Sequence, residues 1–141
     1  MAFSNSYAEA YMKCICGTVQ SAPNNSAFIA LSTTAPNPDG SNFTEPSDTY
    51  RRVQIGYYST GSQFVNKMTV TATGGVGTAT SNDYIFFPEA SASWGTVTHF
   101  GIFAAATGGV PIIYGELTAP VTIQANYVPM FRIGALVITI S

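Results

Sequence analysis

The chain has 141 residues, a length that suits one domain with a core of its own. Charged residues make up 9% of the sequence and the formal net charge is −2, whereas an ordinary soluble domain carries about 25% charged residues. The five basic residues are scattered, which excludes the basic stripe of a nucleic-acid-binding protein, and no apolar run approaches the ~20 residues that span a bilayer.

The low charge indicates a surface that is covered in an assembly, and a low-charge monomer is the alternative. Small uncharged polar side chains repel copies of the same surface weakly, and few charges must be desolvated when two such surfaces meet. The first 17 residues lack the basic leader and apolar segment of a secretory signal. We therefore expect the protein to stay in the cytoplasm of the cell that makes it.

Residues 5–16 have the pattern of a short amphipathic helix, within an N-terminal arm formed by residues 1–17. An apolar stripe follows one helical face at Tyr7, Tyr11, Cys14 and Ile15. Ser6 and Glu9 have the spacing of a capping box, and Gly17 is a favourable helix stop. The stripe must pack against the remaining domain or against a neighbouring subunit.

The chain after residue 17 has the spacing of eight or nine short strands. The predicted strands are residues 27–32, 50–58, 67–73, 78–87, 96–103, 112–117, 121–123, 127–133 and 135–140. Glycines predict hairpins at residues 74–77 and 108–109. We predict one all-β domain over residues 1–141, an antiparallel β-sandwich of jelly-roll-like architecture with a short N-terminal α-helix.

A long polar loop, residues 33–49, separates the first two predicted strands and contains several prolines. Loops of this length are usually functional or buried in contacts. Asp39, Glu45 and Asp48 share this loop, but they lack the spacing of a calcium loop. We interpret them as solvated carboxylates.

The remaining reactive side chains do not form the pattern of an active site. His99 is the one histidine and lies mid-strand, on the same side as Val97, Gly101 and Phe103 by strict alternation, and a structural role is the more common use of such a residue. No nucleophile elbow surrounds any serine. Cys14 and Cys16 point apart at their spacing, so we predict two reduced thiols and no zinc site. We predict no catalytic residue, no metal site and no cofactor.

Two further features have more than one interpretation. Arg51 and Arg52 are adjacent, so on a strand they face opposite sides, one toward an interface and the other toward the edge of the core. Trp94 lies in a stretch of small residues. Its ring would serve as a platform for a sugar, as an anchor at an interface or as a plug at the end of the sandwich.

One stretch of sequence, from Ala92 through Trp94-Gly95-Thr96-Val97-Thr98-His99, has a specific pattern that extends to most of the chain. The other matched positions are Gly17, Thr18, Leu31, Thr33, Pro36, Glu45, Tyr50, Arg51, Pro88, Gly108 and Gly109. The sequence resembles a family of small phage and prophage proteins usually labelled phage tail fibre protein. It departs from that pattern at Ala104, where an acidic residue is expected, and in the extra length of residues 33–49.

The resemblance implies a structural protein of a bacteriophage virion, placed in the tail fibre or tail, or on the capsid as a decoration or cement protein. We expect it to form homo-oligomers, to bind other virion proteins and to be assembled in the host bacterial cytoplasm. The alternative is a carbohydrate-binding module for a host surface glycan. The interface candidates are Tyr7, Tyr11, Ile15, Pro36, Asp39, Phe43, Arg51, Arg52 and Trp94.

Overall fold

The computed structural model describes residues 1–18, 25–59 and 62–140. The helix is α1 (Asn5–Ile15), and the strands are β1 (Ala2–Phe3), β2 (Ser26–Ser32), β3 (Val53–Ser59), β4 (Ser62–Asn66), β5 (Met68–Thr73), β6 (Val76–Ser81), β7 (Ile85–Phe86), β8 (Gly95–Phe103), β9 (Ile113–Ile123), β10 (Met130–Phe131) and β11 (Val137–Ile140). The described residues contain no helix of the length and apolar character needed to cross a membrane.

The strands form three antiparallel sheets. The largest has six strands in the order β1-β9-β8-β2-β3-β4, the second has the order β11-β6-β5, and β10 pairs with β7. The predicted all-β class, the N-terminal helix and the hairpins β5–β6 and β8–β9 are therefore confirmed. The described residues form eleven strands instead of the predicted eight or nine. The run 78–87 divides into β6 and β7, the predicted strands 112–117 and 121–123 are the single strand β9, and β1 and β4 were not predicted.

The core lies against one face of the six-stranded sheet and is built by alternate residues of its central strands. Its buried members include Ile29, Leu31, Phe100 and Ile102 from β2 and β8. Side chains from the smaller sheets and their connections cover it from the other side, among them Ile85, Phe87, Trp94 and Leu136. Apolar residues two apart on neighbouring strands thus build one continuous core.

An irregularity in the β8–β9 ladder separates Val97 from His99. Val97 pairs with Val121 and His99 with Glu116, so residues 117–120 of β9 lie opposite Thr98 alone. Pro120 is within this stretch and has no N–H for a ladder. Val97 consequently belongs to the core, whereas His99 lies on the other face, and the expectation from strict alternation that they share a side was wrong.

The N-terminal arm is attached to the sandwich by backbone and side-chain hydrogen bonds. Ser4 is the N-cap of α1 and its side chain does not cap the helix. Its hydroxyl instead donates to the Pro111 carbonyl, and its N–H donates to the Ile112 carbonyl at 3.1 Å. The predicted capping box was wrong, because the helix begins before Ser6 and Glu9 pairs with Lys13 at 2.7 Å.

Ser4→Ala tests this attachment. Ser4 is fully buried, so the variant leaves the Pro111 carbonyl without its donor, a loss of about 1–3 kcal/mol in the free energy of unfolding. Ser6→Ala is the matched control, because Ser6 is exposed and lies two residues after Ser4, and we expect the free energy of unfolding to change by less than about 0.5 kcal/mol. Urea denaturation of both variants provides the comparison, and equal effects would contradict the assignment of Ser4 as the anchor.

Candidate functional site

The Trp94 side chain is a plug at the end of the sandwich. It is 5% exposed, its indole N–H donates to Asp48 Oδ2 at 3.2 Å, and its ring meets that of Tyr50 edge-on with centroids 5.5 Å apart. A sugar platform needs an accessible ring face. The interpretation of Trp94 as an exposed platform for a glycan was therefore wrong, and the interpretation as a plug fits the structure.

Asp48 holds the segment that leads into Trp94. Its carboxylate accepts hydrogen bonds from the backbone N–H of Ser91 at 2.8 Å and of Ala92 at 3.0 Å, as well as from the Ser91 hydroxyl. The Ser91 hydroxyl and the backbone N–H groups of Thr49, Ala92 and Ser91 hold the pKa of Asp48 well below its usual range. Asp48 is exposed, yet it joins loop 33–49 to a segment more than 40 residues later.

Arg52 is buried and bound on every side by its own chain. It forms a two-pronged ion pair with Glu45, through Nε at 2.8 Å and Nη2 at 2.9 Å. Its Nη1 donates to the carbonyl oxygens of Ala105 and Gly108, both at 2.9 Å, and its Cζ lies 3.6 Å from the centre of the Phe103 ring. The planar guanidinium suits this combination of bidentate and stacked contacts.

Tyr50 connects the ion pair to the core. Its hydroxyl donates to Glu45 Oε1 at 2.7 Å and accepts the N–H of Leu31 at 3.1 Å. Burial and the hydrogen bond to Glu45 raise the pKa of Tyr50 far above its ordinary value, so it remains a donor at any physiological pH. Glu45 is therefore a structural partner of two side chains, and its interpretation as a solvated loop carboxylate was wrong.

Phe43 fixes the same loop on the outer face of the six-stranded sheet. Its ring meets that of Phe103 edge-on with centroids 5.0 Å apart. It also occupies the space above Gly101, where an added Cβ would come within 2.7 Å of the ring. A residue larger than glycine at position 101 would displace Phe43. The loop 33–49 is thus a packed cover of the sheet, which agrees with the expectation that a loop of this length is buried in contacts.

The nine interface candidates divide by their accessibility. Five are committed to contacts within the chain: Tyr7, Tyr11, Phe43, Arg52 and Trp94. Ile15 is 77% exposed, Asp39 and Arg51 are exposed, and Pro36 is half-buried. The structure brings Phe43, Arg52 and Trp94 into one framework around loop 33–49, whereas Ile15 ends α1 and the half-buried Pro36 and exposed Asp39 lie in the loop itself.

An apolar cleft lies between α1 and β11 and has a volume of about 330 Å³. Its lining is Phe3, Tyr11, Ile15, Ile102, Ile112, Ile113, Ile138 and Ile140. No charged residue is in this lining. The helical stripe of the sequence therefore packs on the domain through Tyr7 and Tyr11 and leaves Ile15 at the open rim of the cleft.

The described residues contain no group of three or more His, Cys, Asp and Glu side chains that would hold a metal ion. The His99 ring shares a hydrogen bond of 2.8 Å with the Thr98 hydroxyl. Glu116 lies opposite His99 on β9, but neither residue lines the cleft beside α1.

A second exposed apolar surface was not predicted from the sequence. Tyr84 and Phe86 are exposed and stack with centroids 5.9 Å apart, and Met130 pairs with Phe86 in the small sheet. The run 78–87 was predicted as one strand. Tyr84 and Phe86 alternate with the buried Ile85 and Phe87, and this alternation of apolar residues is the signal that would have placed Tyr84 and Phe86 on the outer side.

The adjacent arginines provide a matched test of the framework. Arg52→Ala leaves the partly buried Glu45 carboxylate unpaired, and we expect the free energy of unfolding to fall by about 3–5 kcal/mol. Arg51→Ala removes an exposed side chain and should change it by less than about 0.5 kcal/mol. Denaturant unfolding of both variants measures the difference. A loss of stability shared equally by the two positions would contradict the buried ion pair.

Asp48→Asn tests the carboxylate that holds the Trp94 segment. The folded state lowers the Asp48 pKa from about 3.9 in the unfolded chain, so its stabilisation is fully present above pH ~4 and is lost as the pH falls toward the folded value. The Asn side chain accepts fewer of these hydrogen bonds. We expect a lower Tm than that of the native chain at pH 7, with the gap narrowing below pH ~4.

Glu89→Gln is the control for this pH series, because it removes one negative charge near the same segment without changing the Asp48 hydrogen bonds. At pH 7 its Tm should stay close to that of the native chain, because Glu89 is exposed. A gap for Asp48→Asn that stays constant from pH 7 to pH 2 would contradict the role of the ionised carboxylate.

Comparison with known proteins adds the identity of the family. No curated protein matches the chain. A protein-family model described as podophage GP4 fiber I protein gp80 matches residues 2–139, which include the helical arm, all three sheets and the framework around loop 33–49. This agrees with the resemblance to phage tail fibre proteins and supports a structural role in a phage virion. The chain belongs to the podophage GP4 fiber I protein gp80 family.

Proposed function

We propose that the chain is a non-enzymatic structural subunit of a phage tail fibre, which acts by binding copies of itself and other virion proteins and is assembled in the host bacterial cytoplasm. Its exposed apolar surface is the observation that carries this proposal. Among the described residues, fifteen large apolar side chains are exposed, whereas the whole sequence has five basic and seven acidic residues. A surface with this balance favours coverage by neighbouring proteins.

The internal framework supports the same function. Every buried side-chain nitrogen and oxygen of the described residues has a hydrogen-bond partner, and the buried Arg52 is neutralised by Glu45. Such a domain presents its surfaces with little rearrangement, which lowers the entropy cost of assembly. The buried polar side chains of the described residues are thus engaged by the chain itself.

The cleft beside α1 is the proposed contact for another virion protein. Its lining is apolar, and Ile15 at its rim is the most exposed large apolar side chain among the described residues. Asp39 and Arg51 are exposed and are the proposed polar contacts elsewhere on the surface. A capsid position, as a decoration or cement protein, is the second placement within this function, since it uses the same kind of low-charge surface.

Purified phage particles test the placement. We expect the protein in intact particles, located at the tail by labelled antibody in electron microscopy and present at a small multiple of the tail symmetry by quantitative mass spectrometry. The major capsid protein of the same particles provides the internal standard for copy number. One copy or more per capsid subunit would overturn the tail placement, and absence from washed particles would overturn the structural function altogether.

A further inference from the structure

Strand β5 has a free edge that the described part of the chain does not cover. It is the last strand of the sheet ordered β11-β6-β5, and it pairs with β6 from Met68↔Ser81 to Thr73↔Val76. The described residues place no strand on its other side. An edge of this kind presents a row of backbone N–H and C=O groups that fits another extended strand.

The hairpin geometry identifies the groups on this edge. Gly74 and Gly75 form the turn, both with positive φ, so Thr73 and Val76 are the hydrogen-bonded pair that closes a two-residue hairpin. Hydrogen-bonded pairs then alternate along the ladder. The backbone groups of Val70 and Ala72 therefore point away from β6. The Met68 N–H agrees with this pattern, because it donates to Asn66 Oδ1 at 3.3 Å.

The edge lacks the features by which soluble proteins usually protect a free strand. Residues 68–82 contain no Lys, Arg, Asp or Glu and no Pro, and the β5–β6 register has no bulge. Charges, proline and bulges are the devices that prevent pairing between edges. Val70 is 73% exposed, so an apolar side chain lies at the centre of the unprotected strand.

We propose that β5 pairs antiparallel with β5 of a second copy of this chain. The strand is self-complementary about Val70. In this register Val70 of one copy faces Val70 of the other, and Met68 faces Ala72, so no position meets a like charge and the Val70 pair exchanges two backbone hydrogen bonds. The two three-stranded sheets would become one sheet of six strands across a two-fold axis.

The surroundings of β5 favour pairing with a second copy of the chain. Val70 shares one face of the sheet with Ile138 and Ile140, through the pairings Val70↔Ala79 and Ala79↔Ile138. A two-fold axis through the Val70 pair places the apolar faces of both copies on the same side, where they form one continuous surface. This inference rests on the proposed self-association and specifies its surface. Ile138 and Ile140 also line the cleft beside α1, so the contact proposed there for a different protein adjoins the paired sheets.

Val70→Lys tests the pairing on the full chain. We expect light scattering after size exclusion to give at least twice the 14.9 kDa chain mass for the native protein, and at least tenfold weaker self-association for the variant. Val128→Lys is the control, because Val128 is also an exposed valine but lies far along the chain in a loop, and it should associate like the native chain. Circular dichroism verifies that both variants fold.

Cysteine cross-linking tests the register. In a chain with Cys14 and Cys16 changed to Ser, Val70→Cys should form a covalent dimer on mild oxidation, because the two side chains lie directly opposite each other. Thr71→Cys is the control, because in this register Thr71 faces Thr69 of the other copy, so the two Thr71 positions are displaced from each other along the strands. We expect at least tenfold less cross-linked dimer at position 71.

The edge pairing is overturned if the native chain is monomeric, if Val70→Lys associates as the native chain does, or if positions 70 and 71 cross-link equally. Each of these results leaves the role in the virion intact, because that role is measured by the presence of the protein in phage particles. Conversely, an edge-paired dimer that is absent from particles overturns the proposed function and leaves the pairing established.

Discussion

The placement of the long loop depends on one buried cation. The Arg52 guanidinium holds Glu45 of loop 33–49 on one side and the carbonyl groups of Ala105 and Gly108 on the other. Removing a charge from water is costly unless its donors find partners. Here a carboxylate, two carbonyl groups and the Phe103 ring compensate that cost. One side chain therefore fixes the end of loop 33–49 to a turn more than 50 residues after Arg52.

Because the loop is held in this position, the six-stranded sheet is covered on both faces. The core packs on one face, and the loop places Phe43 over Gly101 on the other. Asp48 continues the same loop to the Trp94 segment, so the outer cover and the plug at the end of the sandwich share one support. Because the charged residues of this loop are largely engaged internally, the outer surface is left to small polar and apolar side chains.

The sequence predicted the elements whose signals are local and missed those that depend on distant partners. Short runs of apolar residues located β2, β5 and β8. Paired glycines located the hairpins β5–β6 and β8–β9. The role of Ser4 was not predictable, because its acceptor, Pro111, lies 107 residues away. Local spacing favoured Ser6 as the cap instead. The adjacent arginines show the same limit, since alternation separates Arg51 from Arg52 but does not reveal which one meets Glu45.

Two edge strands of the larger sheets, β1 and β5, differ in how well the chain protects them from pairing with another strand. At one end of the six-stranded sheet, β1 is two residues long and is followed directly by α1, so the chain itself limits pairing there. At the end of the three-stranded sheet, β5 offers six neutral residues, and the described part of the chain places no helix or strand beside it. The proposed edge pairing accounts for this difference, because a strand without charge, proline or bulge is suited to extension by a second copy and unsuited to remaining exposed.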